Sequence, residues 1–442
     1  MINQKAVDVL IVGAGPGGSA ASLAIDYFTT KSGYKPLSIL LIDKHPATRT
    51  RANTILLDFS PAHAIEKFGC DVMEFTPSTD WCQICPEEGV FNRYPLPEYV
   101  SQKREKILFN AGFMLRRKPV FDVGINHLEN VLYTQIDKQE NIQRVHSSNL
   151  VELTRTDQGT FCVTLEHQHQ QHKIFTRYII VADGAKSDTL SMIGAQKKGT
   201  QKLETIVSAN FKQSGVGNTK YHNNNRSIEA LSLATQQGTS VFVKVSGEVC
   251  ENNYKLDNER DRSKFKKILL DGARKLGVEG DIAFGFSLIP IVLERSSRSI
   301  YQQNILVIGD ARHATTPRVA LGANVAIMDA VRAANTLVRI HNNPSWRAPL
   351  ARFCFSWHTW LGTHLLTLLG RITTTSQAIK SGSRTKRASA LTRTYKFWKT
   401  QLLMSLHWRA SKGGSRLYSE HGANKLLSEA RSKSLSQLES RA

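Results

Sequence analysis

Apolar positions in the first part of the chain gather into short unbroken runs. Val7-Asp8-Val9-Leu10-Ile11-Val12, Leu37 to Ile42, Tyr178 to Ala182 and Ile305 to Ile308 are such runs. Runs of this length, bounded by turn residues, predict strands buried on both faces of a parallel sheet. After the first run, Ser19-Ala20-Ala21-Ser22-Leu23-Ala24 opens a helix, and a second helix is predicted around Leu128 to Leu132. Helices alternating with buried strands predict an α/β fold. Residues 191–289 read differently, as strands such as Ser240-Val241-Phe242-Val243-Lys244-Val245 separated by polar turns. The His/Gln stretch from His167 to His172 reads as an exposed hairpin turn between Val163 and Ile174. Near the end, Leu361, Leu365, Leu368 and Ile372 recur at helical spacing, an apolar stripe on a polar helix. No apolar run approaches the roughly 18 residues that a bilayer span needs. The first strand follows Met1 so closely that no signal peptide is expected.

Charge divides the chain. The 442 residues hold 58 Lys+Arg against 37 Asp+Glu, a net charge of +21. Residues 341–442 alone hold 17 Lys+Arg against three acids, Glu420, Glu429 and Glu439, and five of the six tryptophans. The pattern predicts a nearly balanced globular body followed by a basic, helical, Trp-bearing C-terminal region. The bland reading of that region is a helix pair packed on the body. An anionic membrane surface or an acidic carrier protein are its alternative partners, and nucleic acid is disfavoured because no binding motif accompanies the charge. The hydrophobic content, 41%, rules out wholesale disorder. Six cysteines are too few for a disulfide scaffold. Cys82-Gln83-Ile84-Cys85 has the spacing of a metal knuckle, but no second pair or nearby His pair completes four ligands, so no metal is expected. The expected setting is cytoplasmic, with peripheral contact at a membrane left open.

The first strand leads into Gly13-Ala14-Gly15-Pro16-Gly17-Gly18. Gly13 permits a tight turn, Gly15 lets the backbone approach a pyrophosphate, and Gly18 lets the helix pack closely on the strand. The helix N-terminus then faces the phosphate charge. The second strand ends in Asp43, placed for ribose hydroxyls, with Lys44 beside it. Strand, glycine turn, helix and acid-tipped strand together predict a dinucleotide site. NAD and FAD both use this arrangement, so the motif leaves the choice open. From Gly18 to Asp43 is 25 residues, and the polar stretch Thr29 to Lys35 reads as an insertion.

Two later motifs narrow the choice. Tyr178-Ile179-Ile180-Val181-Ala182-Asp183-Gly184 is a strand ending in a DG turn, and Ile305-Leu306-Val307-Ile308-Gly309-Asp310 is one ending in Gly-Asp. The second continues as GDARHATTPRVALGANVAIMDA. With the glycine loop, this resembles the class A flavoprotein monooxygenases, the p-hydroxybenzoate hydroxylase-like family, whose pattern is GDAxHxxxPxxGxGxNxxxxDA. Every fixed position matches except the first loop glycine, which is Ala320 here.

The resemblance covers roughly residues 5 to 340 and implies FAD, with NAD(P)H as electron donor. It implies that Asp310, after Gly309, meets the ribityl chain, and that Gly322, Ala323 and Asn324 face the pyrimidine edge of the ring. Asp183 would lie near the pyrophosphate. Arg51, in Arg51-Ala52, would line the flavin entry, and the backbone at Val151 would meet the adenine. Asn126 is the best candidate for the polar residue that opens the intervening helix. The family's DG motif usually ends in Arg, but Thr189-Leu190-Ser191 stands here, which leaves the nicotinamide donor open. His313, inside the GD motif, reads as a residue that holds the turn.

The fold expected is therefore a Rossmann-type FAD-binding domain (1–75, 105–190 and 290–340) interrupted by a mostly β substrate domain (76–104 and 191–289). The basic helical region 341–442 follows. The activity implied is monooxygenation of a small organic molecule by NAD(P)H and O2 through a flavin C4a-hydroperoxide. No catalytic side chain is assigned, because that chemistry belongs mostly to the cofactor. The alternatives are a geranylgeranyl reductase-type flavin reductase, a MICAL-like monooxygenase acting on protein, a flavin-dependent halogenase and a non-catalytic flavin-binding protein. The halogenase is weakened by the absence of any lysine between Lys67 and Lys103.

Overall fold

The computed structural model describes residues 5–47, 54–72, 74–77, 81–85, 89–94, 120–198, 202–213, 217–222, 228–235, 237–245, 258–292, 294–314, 322–342 and 348–360. Within them the chain builds an eight-stranded sheet and a seven-stranded sheet, with two small three-stranded sheets.

The apolar runs become neighbours in the eight-stranded sheet. Ala6–Val12 is central, parallel to Ile39–Ile42 on one side and to Gln170–Val181 on the other. Ile142–Val145 extends the sheet beyond Ile39–Ile42, and Ile305–Val307 lies beyond Gln170–Val181, both parallel. Val9, Leu10 and Ile11 are fully buried, as a strand covered on both faces requires. One face packs on the helices Pro16–Lys31, Ile125–Ile136 and Gly322–Asn342. The other is covered by the hairpin of Phe161–His167 against Gln170–Val181, which pairs Val163 with Ile174. That hairpin turns at Gln168 and His169, both at positive φ (51° and 63°), which gives a two-residue turn of the type that suits twisted strands.

The first helix corrects one expectation. Thr29 to Lys35 is not an insertion as a whole, because the helix runs on through Lys31. Thr29 is buried inside it, and its hydroxyl donates to the carbonyl of Ile25 at 2.8 Å. A threonine in a helix can satisfy its hydroxyl on the preceding turn, so polarity there did not mark a loop.

The seven-stranded sheet is formed by Trp81–Cys85, Gly89–Tyr94, Lys202–Phe211, Asn218–His222, Ile228–Thr235, Gly238–Val245 and Ile282–Val292. The helix Glu259–Lys275 packs on one of its faces through Phe265 and Leu269. Residues 81–85 are an extended strand paired on both sides, not the turn a metal knuckle needs. The two large sheets meet through Thr54–Asp58 and Val120–Gly124. Thr54 Oγ1 lies 2.5 Å from Ser240 Oγ, and the Asn218 amide donates to Asp122 at 2.8 Å. Residues 348–360 are helical, and positions 361–372, where the apolar stripe was read, lie outside the described residues. Among the described residues no helix is long and apolar enough to cross a membrane.

Candidate functional site

At the C-terminal ends of the parallel strands, where ligands sit in doubly wound sheets, a groove of about 330 Å³ opens. Its floor is the glycine loop. Gly13 has φ +103°, and a Cβ there would lie 2.5 Å from the Ala182 carbonyl oxygen. A Cβ on Gly18 would lie 1.8 Å from the Gly13 carbonyl oxygen. Both glycines are demanded by the protein's own packing. Gly15 is not: its φ is −65° and the nearest atom to a Cβ would be Glu129 Oε1 at 3.9 Å. Space is left above Gly15 that the chain itself does not fill.

The loop is held from both sides. Asp43 Oδ2 accepts the Ala14 N–H at 2.8 Å, and Oδ1 accepts the His45 N–H at 2.8 Å. A carboxylate has about four acceptor positions, so Asp43 can still meet hydroxyls in the groove it lines. Tyr133 donates its hydroxyl to the Ala14 carbonyl at 2.9 Å, and the Arg144 guanidinium stacks 4.2 Å from the Tyr133 ring centroid. His146 meets the same ring edge-on at 5.3 Å. Burial lowers its pKa, and the Arg144 charge adds to that, against the hydrogen bond to His45 and the charges of Asp43 and Asp137, so its ring favours the neutral form. Tyr133 and His146 give the Asp43 end of the groove an aromatic wall.

Two buried polar atoms on the groove wall have no hydrogen-bond partner among the described residues: Ser148 Oγ and Asp183 Oδ1. Asp183 uses its other oxygen to accept the Thr189 N–H at 3.3 Å. Burial raises its pKa against the hydrogen bonds from Ser187 and Thr189. Across the mouth, Lys44 and Asp188 form an ion pair at 2.7 Å between largely exposed side chains.

The far end is built on Asp329, which is fully buried. It accepts the Gly309 N–H at 3.3 Å and lies 2.8 Å from His313 Nε2, with Arg332 Nη1 at 3.4 Å. These contacts hold Gly309 in its left-handed conformation (φ +58°) and aim Asp310 at the groove. His313 therefore holds the turn. The Asp310 side chain is open to the groove but ringed by protein, and the lost hydration raises its pKa, partly offset by the charge of His313. The helix Gly322–Asn342 begins here, so two helix N-termini face one groove, Gly15–Gly17 and Gly322–Ala323. Both favour negative charge.

Of the residues chosen from sequence, Gly13, Gly15, Pro16, Gly17, Asp43, Lys44, Asp183, Gly309, Asp310, Gly322 and Ala323 line this groove. Ala14 and Gly18 lie beneath it, buried. Asn324 is buried and donates its side-chain amide to the Leu56 carbonyl at 2.7 Å, so its side chain serves packing. Val151 is not among the lining residues: Ser148, Asn149 and Leu150 form the wall beside it, and the Val151 side chain is 40% exposed. Asn126 does not line it either. The groove face of its helix is Ile125, Glu129 and Tyr133, spaced four apart, which turns position 126 away. Arg51 lies outside the described residues. Tyr133, His146 and Ser148 were missed, because nothing in their local sequence marks them.

The residues present fit FAD. The open cradle at Gly15, the orphaned Ser148 and Asp183 oxygens and the two helix N-termini match a ligand with hydroxyls, a diphosphate and a polar ring edge.

Comparison with known proteins agrees. The family model described as FAD binding domain matches residues 88–345. The 2,4-dichlorophenol 6-monooxygenase of Delftia acidovorans is 22% identical over 362 residues, which are 74% of this chain and 57% of that enzyme. The chain thus spans little more than half of that relative's length. The para-nitrophenol 4-monooxygenase of Pseudomonas sp. (strain WBC-3) is 21% identical over 346 residues, 76% of this chain and 78% of the enzyme. Among solved structures, p-nitrophenol 4-monooxygenase PnpA from Pseudomonas putida DLL-E4 superposes with a TM-score of 0.69 at 14% identity, over 93% of this chain and 99% of that one. The flavin-dependent monooxygenase PieE, in complex with FAD and substrate, gives 0.68 at 16% identity, over 97% and 72%. With its glycine loop, DG turn and GD turn gathered around one groove, this chain belongs to the FAD binding domain family, the p-hydroxybenzoate hydroxylase-like flavoproteins.

Proposed function

We propose that the chain is an FAD-dependent monooxygenase acting on a phenol-type aromatic molecule, with NAD(P)H as reductant. The observation that carries this reading is the convergence of three loops, distant in sequence, on a single groove at one end of the parallel sheet. The relatives named above act on chlorinated and nitrated phenols by their names, which favours oxygenation over the reductase, halogenase and non-catalytic alternatives.

The eight-stranded unit would hold the cofactor and the seven-stranded unit the substrate. Asp43 would accept from ribose hydroxyls, with the Tyr133–His146 wall beside the adenine. The amides of Gly15 to Gly17 would face the diphosphate, Asp310 would accept from the ribityl chain, and Gly322 and Ala323 would present a helix N-terminus to the ring. FAD, when bound, supplies the activation of O2 and the transfer of one oxygen atom. The polypeptide binds, orients and desolvates. Purified protein should consume O2 with NADH or NADPH, faster when a phenol is present, and yield a hydroxylated product. NAD(P)H oxidation unaffected by any phenol, with no oxygenated product, refutes the reading.

A second reading concerns the C-terminal region, and one observation favours it. Leu350, Phe353, Trp357 and Trp360 are 51%, 65%, 52% and 46% exposed and recur at helical spacing along 348–360. Trp357 and Trp360 stack at 5.4 Å. We infer that this stripe and the basic residues after it rest on an anionic membrane surface of the cytoplasm. Co-sedimentation with phosphatidylglycerol vesicles at low salt tests it, and an absence of binding there removes it.

A further inference from the structure

Sheet order sets out one side of the groove in a fixed sequence. Ala6–Val12 ends in the glycine loop, and its neighbour Ile39–Ile42 ends in Asp43. The next strand, Ile142–Val145, leads through His146 and Ser147 to Ser148. The three ends are joined by hydrogen bonds. Asp43 holds the glycine loop through the Ala14 N–H, and its own carbonyl accepts the Ser148 N–H at 2.9 Å. A dinucleotide with its diphosphate at the glycine loop and its ribose at Asp43 therefore carries its base to the end of the third strand, at Ser148.

Ser148 is 1% exposed and lines the groove, yet its Oγ has no hydrogen-bond partner among the described residues. Leu150, two residues along the same strand, belongs to an apolar cluster with Phe161 and Val163. In such surroundings a buried hydroxyl without a partner is costly, and alanine would fill the place without that cost. The backbone is constrained here as well. Ser147 takes the left-handed conformation (φ 51°), which a side chain other than glycine adopts at some cost, and the Ser148 N–H beyond it meets Asp43. The same stretch supplies His146, edge-on to Tyr133 at 5.3 Å, and both rings line the groove. An aromatic wall suits the flat face of a base, and a lone hydroxyl next to it suits the edge. Adenine carries ring nitrogens that accept and an amino group that donates, and a serine hydroxyl can meet either.

Resting on the placement of FAD in this groove, we propose that Ser148 reads the adenine base. Its hydroxyl bonds the edge of the base, which adds specificity for adenine to a groove whose other polar groups serve the ribose, the diphosphate and the flavin.

The test titrates flavin-free protein with FAD, ADP, 2′-deoxy-ADP and FMN, followed by flavin fluorescence or calorimetry. Ser148→Ala should weaken FAD, ADP and 2′-deoxy-ADP alike by about three- to tenfold, as one neutral hydrogen bond contributes. FMN, which lacks the adenosine half, should bind the variant as it binds the parent. Ser148→Cys keeps a similar volume with a weak donor, so it should lose nearly as much as alanine. The melting point of flavin-free Ser148→Ala should not fall, because the hydroxyl bonds nothing there. Full FAD affinity in either variant, an equal loss for FMN, or a lowered melting point overturns the role of Ser148. So does a loss seen with ADP and absent with 2′-deoxy-ADP, which would put the hydroxyl on the ribose instead. A parent protein that binds neither FAD nor ADP overturns the cofactor placement beneath it.

Discussion

Gly15→Val separates what the ligand needs from what the fold needs. At Gly15 the backbone has φ −65° and ψ −178°, which any residue adopts, and a Cβ would have Glu129 Oε1 as its nearest neighbour, at 3.9 Å. The protein without cofactor should therefore tolerate valine, its stability changing by no more than about 1 kcal/mol. In a domain of this size that shifts the melting point by roughly 2–4 °C. With cofactor the same side chain stands where the diphosphate approaches the loop. Overpacking of a close contact costs about 1–3 kcal/mol, a loss of roughly 5- to 150-fold in FAD affinity at 1.4 kcal/mol per tenfold. Gly18→Ala is the contrast. Its Cβ would meet the Gly13 carbonyl oxygen at 1.8 Å, so the backbone itself must shift. That variant should lose about 3 kcal/mol or more before any ligand is added. Flavin fluorescence titration and thermal melting of flavin-free protein read the two quantities independently. If Gly15→Val retains FAD at parent affinity, or melts early without it, the cradle has been misplaced.

Asp183 has a raised pKa because burial disfavours its charge. A carboxyl whose folded pKa exceeds its unfolded one binds more protons folded, so stability falls as pH rises through the folded value. Asp183→Asn should therefore raise the melting point of the protein without flavin at pH 7, with the gain shrinking toward acid pH. Melting curves across pH 4–8 check this, and Asp310→Ala should also weaken FAD binding by about 10- to 150-fold. Asp329→Ala leaves His313 and Arg332 buried beside an empty place, and breaking such a pair costs about 3–5 kcal/mol. Chemical denaturation should show that loss without any cofactor. Tyr133→Phe removes the hydrogen bond to the Ala14 carbonyl and keeps the ring, so FAD affinity should fall by no more than about tenfold.

The three motifs were readable because each is a local rule: an apolar strand, a turn that only certain residues can make, and a polar group exposed at its tip. That is why Gly13 could be chosen from its turn alone, and Asp183 and Asp310 from the resemblance their turns carry; all three line the groove. Tyr133, His146 and Ser148 could not be chosen so, since they reach the groove by sheet order and helix phase. Val151 and Asn126 lie one and three positions from the groove-lining Leu150 and Glu129 for the same reason: a family rule gives the element, and only its register gives the residue.

The strand order also bears on when the site can exist. Ile11 lies beside Ile180, and Ile180 lies beside Leu306, so the groove is walled by segments made far apart during synthesis. Contacts between residues so far apart close slowly, and their partners wait exposed meanwhile. The glycine loop leaves the ribosome long before Gly309 or Gly322 can join it, so a nascent chain has no complete place for flavin. Cofactor capture must then be among the last events of folding. Because a ligand that binds only the folded form draws the chain toward it, flavin supply during expression should set how much protein survives to be isolated.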